Sequence, residues 1–381
     1  MRILIIHTRY KIRGGEDSVV DNEMDLLKSA GNNVEILSFS NSGGTLMKLF
    51  QLPFNYSSYK KTKQAIARFK PDIVHIHNLH FAGSTSVIYA AKKCGIPMLI
   101  TLHNYRMLCP SGTLFFDSEL FMSSVNRMLP IEAIKKGVYQ NSKIITLWLA
   151  TSAAINQIRK TWNIPDRYIV LGNNAKDVFL ASRYRHLAEK MRIKPNFCFP
   201  YPEKQKEPGN YYLYVGRLSP EKGIQVVLNA FSKTGLPLKI IGSGPLEAEI
   251  KTYSGKYKNI EFLGIKDKDE VYSLISCAAA VIFSSIWFET FGMVIIEALA
   301  CGTPVIASAI GEAKNLIQHK VNGLLFEAGN ENDLLEKMLY YQALPVEDKL
   351  LYKANALKAY QDNYTPEINL KQLVDIYQEI I

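Results

Sequence analysis

Glu289-Thr-Phe-Gly-Met-Val-Ile-Ile-Glu297 is the stretch on which the fold turns. Ahead of it, the apolar run from Ala278 to Phe283 reads as a buried strand. Behind it, Ala298-Leu-Ala-Cys-Gly-Thr-Pro304 reads as the end of a short helix and a stop. One carboxylate therefore sits in the loop before a helix, and the second lies about one turn inside it. Between them the N–H groups of Gly292, Met293 and Val294 open the helix. Unpaired donors at the positive end of a helix dipole suit a phosphate. Ionised carboxylates are strong acceptors and suit sugar hydroxyls. Together they suit a sugar carried on a diphosphate.

The same strand–loop–helix rhythm extends in both directions. Ile3–His7, Val34–Phe39, Ile73–His77, Met98–His103, Ile144–Leu149 and Tyr168–Leu171 read as strands. Glu16–Ala30, Tyr59–Phe69, Ser84–Cys94 and Thr151–Trp162 read as helices between them. Such alternation implies βαβ units and a parallel sheet. The Pro- and Lys-rich interval Lys194–Gly209, with Pro195, Pro200, Pro202 and Pro208, marks a domain boundary. A second series follows: Tyr211–Val215, Leu238–Ile241, Ile260–Leu263, Ala280–Phe283, Val305–Ala307 and Gly323–Phe326. A break at Asn363-Tyr-Thr-Pro366 precedes a last helix. We expect an N-terminal Rossmann-like domain over 1–195, a second over 196–363, and a C-terminal helix over 364–381 that packs back on the first. Two doubly wound sheets imply a cleft, with ligands beyond the carboxyl ends of the strands.

Polar residues gather at those strand ends. The first strand runs into Thr8-Arg-Tyr-Lys-Ile-Arg-Gly-Gly-Glu-Asp17, where Gly14 and Gly15 let backbone N–H groups approach a ligand, or simply make a turn. The fourth ends in His103-Asn104-Tyr105-Arg106, a cluster that favours function over a lone structural histidine. In the second series, Val215-Gly216-Arg217 leads to Lys222-Gly223. Arg217 by its fork and Lys222 as a point charge suit a diphosphate, whereas the bland reading is a surface pair. Gly242-Ser243-Gly244 matches only the first two glycines of a dinucleotide fingerprint, since Glu247 stands at the third. Asp267-Lys-Asp269 has the spacing of a DxD metal motif. Standing just before a helical stretch, Asp267 or Asp269 reads instead as its N-cap, and no metal-ligand spacing appears elsewhere.

Composition narrows the class. With 48% hydrophobic and 21% charged residues over 381, a globular protein of two domains is expected. No run is long enough for a membrane span, and Met1–His7 reads as a strand rather than a signal peptide. Five scattered cysteines without a CxxC pair argue against disulfides or a zinc site and for a reducing cytoplasm. The net charge of +10 is confined to the first half: residues 1–190 hold 25 Lys+Arg against 13 Asp+Glu, and the rest 20 against 22. From Ile36 to Pro71, Lys48, Lys60, Lys61, Lys63, Arg68 and Lys70 meet no acid. Leu46, Leu49, Phe50, Leu52, Phe54, Tyr56 and Tyr59 stand among them. From Met122 to Lys176 eight cations face only Glu132 and Asp166. Basic residues mixed with aromatics fit an anionic membrane surface, and equally a solvated helix face over a core. Nucleic acid is not expected, because no binding motif accompanies the charge.

Gly216-Arg-Leu-Ser-Pro-Glu-Lys-Gly223, Gly242-Ser-Gly-Pro245, Glu289-x7-Glu297 and Gly302-Thr-Pro-Val305 with Gly311-Glu312, in this order, resemble the retaining glycosyltransferases of the GT-B fold, family four. The resemblance covers nearly the whole chain. Leu102-His-Asn-Tyr-Arg-Met-Leu-Cys-Pro-Ser-Gly112 looks like the subset that builds bacterial surface polysaccharides. The resemblance implies that Glu289 holds donor-sugar hydroxyls, Glu297 the ribose, and Arg217 and Lys222 the leaving diphosphate. His103 would contact the sugar beside the reacting carbon. Gly14, Gly15, Gly216, Gly242, Ser243, Phe291, Gly292, Met293 and Val294 would line the donor site, and Ile265 would meet the base through its backbone. Glu16, Asn104 and Arg106 are candidates for the acceptor.

The activity so implied is transfer of a hexose from a nucleotide sugar, UDP-glucose first and GDP-mannose second on family frequency. The acceptor would be a glycan or lipid-linked saccharide at the inner membrane face. No cofactor and no metal are expected. A dehydrogenase lacks its fingerprint here. A GT-B sugar-nucleotide epimerase or hydrolase stays open, as does a non-catalytic nucleotide-sugar-binding subunit.

Overall fold

The apolar runs become two six-stranded parallel sheets in the computed structural model, which describes residues 1–9, 14–41, 53–201 and 209–381. Tyr10–Arg13, Pro202 and Pro208 lie outside the described residues, as do Leu46, Lys48, Leu49, Phe50 and Leu52 of the basic–aromatic stretch. The chain divides into two units. The first holds Met1–Phe116, Phe121–Asn196 and Asn369–Ile381; the second holds Asp117–Leu120 and Phe197–Ile368.

The first sheet comprises β1 (Arg2–Arg9), β2 (Asn33–Ser40), β3 (Ile73–Asn78), β4 (Met98–Leu102), β5 (Arg167–Val170) and β6 (Met191–Ile193), in the order β2-β1-β3-β4-β5-β6. Ile3 pairs with Val34 on one side and with Ile73 on the other. Ile3, Leu4, Ile5 and Ile6 are all fully buried. Such an uninterrupted apolar run is what a parallel strand covered on both faces requires. The sheet reverses its winding between β1 and β3, so the residues after those strands share the switch point.

One expected strand is a helix. Ile144–Leu149 and Thr151–Trp162 are not strand and helix, because Lys143–Ile158 is a single helix, capped by the Ser142 hydroxyl accepting from Ile145 N. A short apolar run reads alike in both states, and length here favours the helix. The edge strand comes instead from Met191–Ile193, three residues that carry no strong pattern.

The second sheet comprises β7 (Tyr212–Val215), β8 (Leu238–Ile241), β9 (Ile260–Gly264), β10 (Ala280–Phe283), β11 (Val305–Ser308) and β12 (Gly323–Phe326), in the order β9-β8-β7-β10-β11-β12. Leu228, Phe231, Ile240, Ile282, Leu324 and Met338 are among the side chains that fill its core. Here the winding reverses between β7 and β10, which places Arg217–Gly223 and Ser284–Gly292 at the switch point.

The last helix, Pro366–Gln378, begins at a proline, as a first helical position favours. From Asn369 onward it belongs to the first unit. The Tyr377 hydroxyl lies 2.8 Å from His75 Nδ1, and Glu379 bridges Arg167 and Arg192.

Candidate active site

Two loops meet where the second sheet reverses. Gly223 has φ +65°, and a Cβ there would collide with the Ser284 carbonyl. The close approach is laced by Ser284 Oγ donating to the Lys222 carbonyl at 2.9 Å and Ile286 N to the Glu221 carbonyl at 3.0 Å. It carries Lys222 Nζ onto Glu289 Oε1, with the ammonium 5.6 Å from the centre of the Trp287 ring. Ser285 Oγ donates to the same carboxylate oxygen at 2.7 Å. Gly311, at φ +59°, supports Glu289 from behind, since a Cβ would stand 2.8 Å from its backbone N. Ser285 carried no signal in the sequence.

Gly292, at φ +128°, caps the helix Met293–Ala300. Met293 and Val294 are half-buried at the first turn. The Phe291 ring is 3% exposed and packs edge-on against Tyr364, so only its backbone can face a ligand. Glu297 is half-buried one turn in. Burial pushes its carboxyl up to about 7, with Lys268 opposing. Burial and Glu297 also push the Cys301 thiol up to about 12, which disfavours its thiolate.

The glycines nearby have a structural task. Gly242, at φ +144°, lies so close to the Gly216 carbonyl that no side chain fits, and Gly244 packs likewise on the Leu218 carbonyl. Gly216 N donates to the Ile241 carbonyl at 3.1 Å and Leu218 N to that of Ser243 at 2.9 Å. The approach of two loops therefore demands these residues whether or not a phosphate is bound. Arg217 and Ser243 are exposed above them, and Ile265 is 75% exposed after Gly264. Asp267 is the N-cap the sequence suggested: its side chain accepts from Glu270 N at 2.8 Å, and the Glu270 carboxylate accepts in return from Asp267 N at 3.3 Å.

In the first unit, Gly14 caps the helix Gly15–Ser29 in an extended conformation, its N–H donating to Asp17 Oδ2 at 3.1 Å. Among the described residues, nothing lies within 4 Å of a Cβ placed at Gly14 or Gly15. Unlike Gly242, neither is held to glycine by contact with a described residue. Asp17 Oδ1 lies 2.8 Å from His7 Nε2, and Glu16 is half-buried in the first turn. Asn104 Oδ1 accepts from Arg106 N at 3.1 Å, and the Arg106 guanidinium stacks 5.5 Å from the Tyr139 ring. His103, Arg106, Asn78, His80, Phe81 and Trp162 line a cavity of about 140 Å³.

His103 is not alone. Its Nε2 lies 3.0 Å from His77 Nδ1, and the rings stack with centres 5.3 Å apart. His77 Nε2 is 3.1 Å from Glu23 Oε1, and His75 Nδ1 is 3.2 Å from the same oxygen. Glu23 Oε2 pairs with Lys194 Nζ at 3.1 Å, which also donates to Asn369 Oδ1 at 3.0 Å. Burial pushes the Glu23 carboxyl up, but Lys194, His75 and His77 outweigh it and hold the group well below the carboxylate range. Burial, reinforced by His77, holds His75 and His103 well below the usual imidazole range. Sequence reading missed Glu23, His75, His77 and Lys194. The signal was present: His75 and His77 are two imidazoles at period two, hence on one face, inside an apolar strand.

Known proteins show the family and the fold. Residues 13–198 match the family model described as Glycosyltransferase Family 4, and residues 199–358 match Glycosyl transferases group 1. An uncharacterized glycosyltransferase of Methanocaldococcus jannaschii is 28% identical over 297 residues, 77% of this chain and 72% of that one. The O-antigen chain mannosyltransferase C of Escherichia coli is 28% identical over 178 residues, 45% of this chain and 47% of that one. The crystal structure of Anabaena HepE in complex with UDP-glucose superposes with a TM-score of 0.70 at 15% identity, covering 100% of both chains. Two parallel α/β units with their strand-end motifs, the matched family models and the shared architecture place this chain in glycosyltransferase family four, with the GT-B fold.

Proposed function

We propose that the chain transfers a hexose with retention, and without a metal, from a nucleotide-diphosphate sugar to a glycan or lipid-linked saccharide. The observation that carries this reading is the Lys222–Glu289 pair held beside the helix start at Met293. Glu289 accepts from sugar hydroxyls, and Glu297 from the ribose. Lys222, Arg217 and the N–H groups of Gly292, Met293 and Val294 receive the charge that grows on the diphosphate. The bond from the anomeric carbon to the diphosphate oxygen breaks, its electron pair staying on that oxygen. The acceptor hydroxyl attacks the same face and passes its proton to the departing phosphate. Cations and N–H donors fixed in advance stabilise this transition state most. Glu289 already holds Lys222 and Ser285, which disfavours it as a covalent nucleophile. His103 is the imidazole assigned to the donor sugar. Gly14 and Gly15, which meet no described side chain, let a ligand approach the backbone.

The screen that tests this reading is thermal shift against UDP, GDP, ADP and their sugar conjugates, with and without EDTA. UDP-glucose stands first and GDP-mannose second. A nucleotide at 100 times its Kd adds about 2.7 kcal/mol. The expected result is a shift with one base, unchanged by EDTA and lost in Glu297→Ala. No shift with any nucleotide would sink the proposal.

The acceptor side of the proposal rests on an exposed stripe. No helix among the described residues is long and apolar enough to cross a membrane. Yet Ile144, Leu147 and Ile158 are 77%, 45% and 68% exposed, at spacings that put them on one face of a helix whose sole charge is Lys143. Arg159 and Lys160 follow it. Such a face suits the boundary of an anionic bilayer, where a lipid-linked acceptor resides. Flotation with phosphatidylglycerol vesicles should show binding that salt weakens and that Ile144→Glu/Leu147→Glu abolishes. Equal binding to neutral vesicles by wild type and variant would overturn this part.

A further inference from the structure

The cavity of about 140 Å³ in the first unit lies beyond the carboxyl ends of β3 and β4, and most of its polar walls are paired. Thr85 Oγ1 donates to Asn156 Oδ1 at 2.9 Å, Asn156 Nδ2 to the Ser152 carbonyl at 3.0 Å, and Ser84 Oγ to Ser86 Oγ at 2.9 Å. Three nitrogens differ. Asn78 Nδ2, His80 Nε2 and Arg106 Nε are buried without a hydrogen-bond partner among the described residues. They belong to neighbouring side chains. His80 N donates to Asn78 Oδ1 at 2.8 Å, and the Tyr139 ring meets both the His80 ring, 6.1 Å away by centres, and the Arg106 guanidinium. Each unpaired buried donor in a folded protein calls for an explanation.

Their chemistry supplies one. Asn78 Oδ1 is already accepting, so its amide offers N–H donors, and a guanidinium offers nothing else. Burial and the Arg106 charge hold His80 well below the usual imidazole range, so it adds no second charge. No Asp, Glu or Lys lines the cavity, and Arg106 makes no ion pair among the described residues. The guanidinium is held in place. Its Nη1 donates to the Pro110 carbonyl at 3.4 Å, Tyr139 stacks on it, and Gly112 closes on it, since a Cβ there would stand 3.1 Å from Nη2. Nε and Nη2 are left to an acceptor with two oxygens. Water would satisfy these donors and leave the charge unanswered. A phosphate monoester brings about −1.5 to −2 charges to a single cation. A carboxylate matches both the charge and the fork. The volume is roughly ten times what one water requires, room for a group the size of a monosaccharide.

We propose that this cavity is an acceptor subsite for a carboxylate-bearing sugar of the uronic acid type, its carboxylate held by Arg106 and Asn78. His80 Nε2 is left for a ring hydroxyl, which can donate or accept. The name of acceptor rests on the proposed function; the recognition of a sugar acid does not.

The test uses the full chain without nucleotide. Methyl glucuronide, methyl glucoside, glucose 6-phosphate and acetate are titrated and followed by saturation-transfer NMR. The glucuronide should bind about tenfold or more tighter than the glucoside, the factor a charge-assisted hydrogen bond supplies. It should also bind more tightly than glucose 6-phosphate, which has the wrong charge, and than acetate, which has no ring. Arg106→Gln keeps the stem and removes the charge, and there the preference for the glucuronide should vanish. Asn78→Asp is the second variant, should the first fail to fold. Its Oδ1 still accepts from His80 N, while the new carboxylate answers the guanidinium charge, so the glucuronide should be refused. Thermal melts establish that each variant is folded. No binding of the glucuronide, equal binding of the glucoside or acetate, tighter binding of glucose 6-phosphate, or an unchanged preference in either folded variant would overturn the proposal. Failure here leaves the nucleotide screen standing. A failed screen, in turn, removes the name of acceptor and leaves the carboxylate site.

Discussion

Lys222→Ala is expected to lower kcat by about 10² or more while the protein stays folded, as loss of a group that stabilises transition-state charge does. The ammonium stands on a short loop closed by Gly223 and laced to the loop that carries Glu289. Its position is therefore set before substrate arrives. Arg217→Ala should act on the same charge with a similar loss, although its exposed side chain has less to hold it in place. Lys222→Arg keeps the charge but not the compact ammonium that fits between Glu289 and the Trp287 ring, so recovery should be partial. Steady-state kinetics with UDP-glucose and GDP-mannose, alongside circular dichroism, give the answer. A folded Lys222→Ala with wild-type kcat would remove Lys222 from the chemistry.

Donor affinity should fall about tenfold for each pH unit below 7, because Glu297 must be ionised to accept from the ribose hydroxyls. Its carboxyl is pushed from 4.5 up to about 7 by burial. The sign for stability is opposite. A folded-state value above the unfolded one contributes stability below about pH 4.5, lost as pH rises through about 7. Above that, the ligand-free protein holds a poorly solvated carboxylate. Glu297→Gln should therefore stabilise the free protein at about pH 8, by up to about 3 kcal/mol, and abolish the shift caused by nucleotide. Titration calorimetry from about pH 6 to about pH 8 checks the first part and thermal melts the second. A dissociation constant flat across that range would take Glu297 out of the donor site.

The second unit was largely legible because its candidate residues lie in short loops at strand ends. Arg217, Lys222, Glu289 and Glu297 are close in sequence to strong apolar runs, and the runs alone place them. The first unit was less so. Ile144–Leu149 is apolar for packing and surface reasons that a strand shares, and only its continuity with Thr151–Ile158 reveals a helix. Glu23 looks like one more polar position on an amphipathic helix. Its partners His77 and Lys194 lie 54 and 171 residues along the chain, and Asn369, which joins through Lys194, a further 175 beyond that, so no local pattern pairs them. Gly242 has a packing reason of its own, since the carbonyl of Gly216 leaves no room for a side chain whether or not a ligand binds there.

The helix Pro366–Gln378 also orders events at the ribosome. Asn369 and Tyr377 complete the hydrogen bonding of Lys194 and His75, yet they are translated after all of Phe197–Ile368. While the whole second unit is made, the Lys194 ammonium and the His75 imidazole therefore wait for their last partners. At about 5–20 residues per second that delay lasts on the order of ten seconds or more. The amino-terminal unit, though synthesised first, cannot complete its hydrogen bonding until Tyr377 is made.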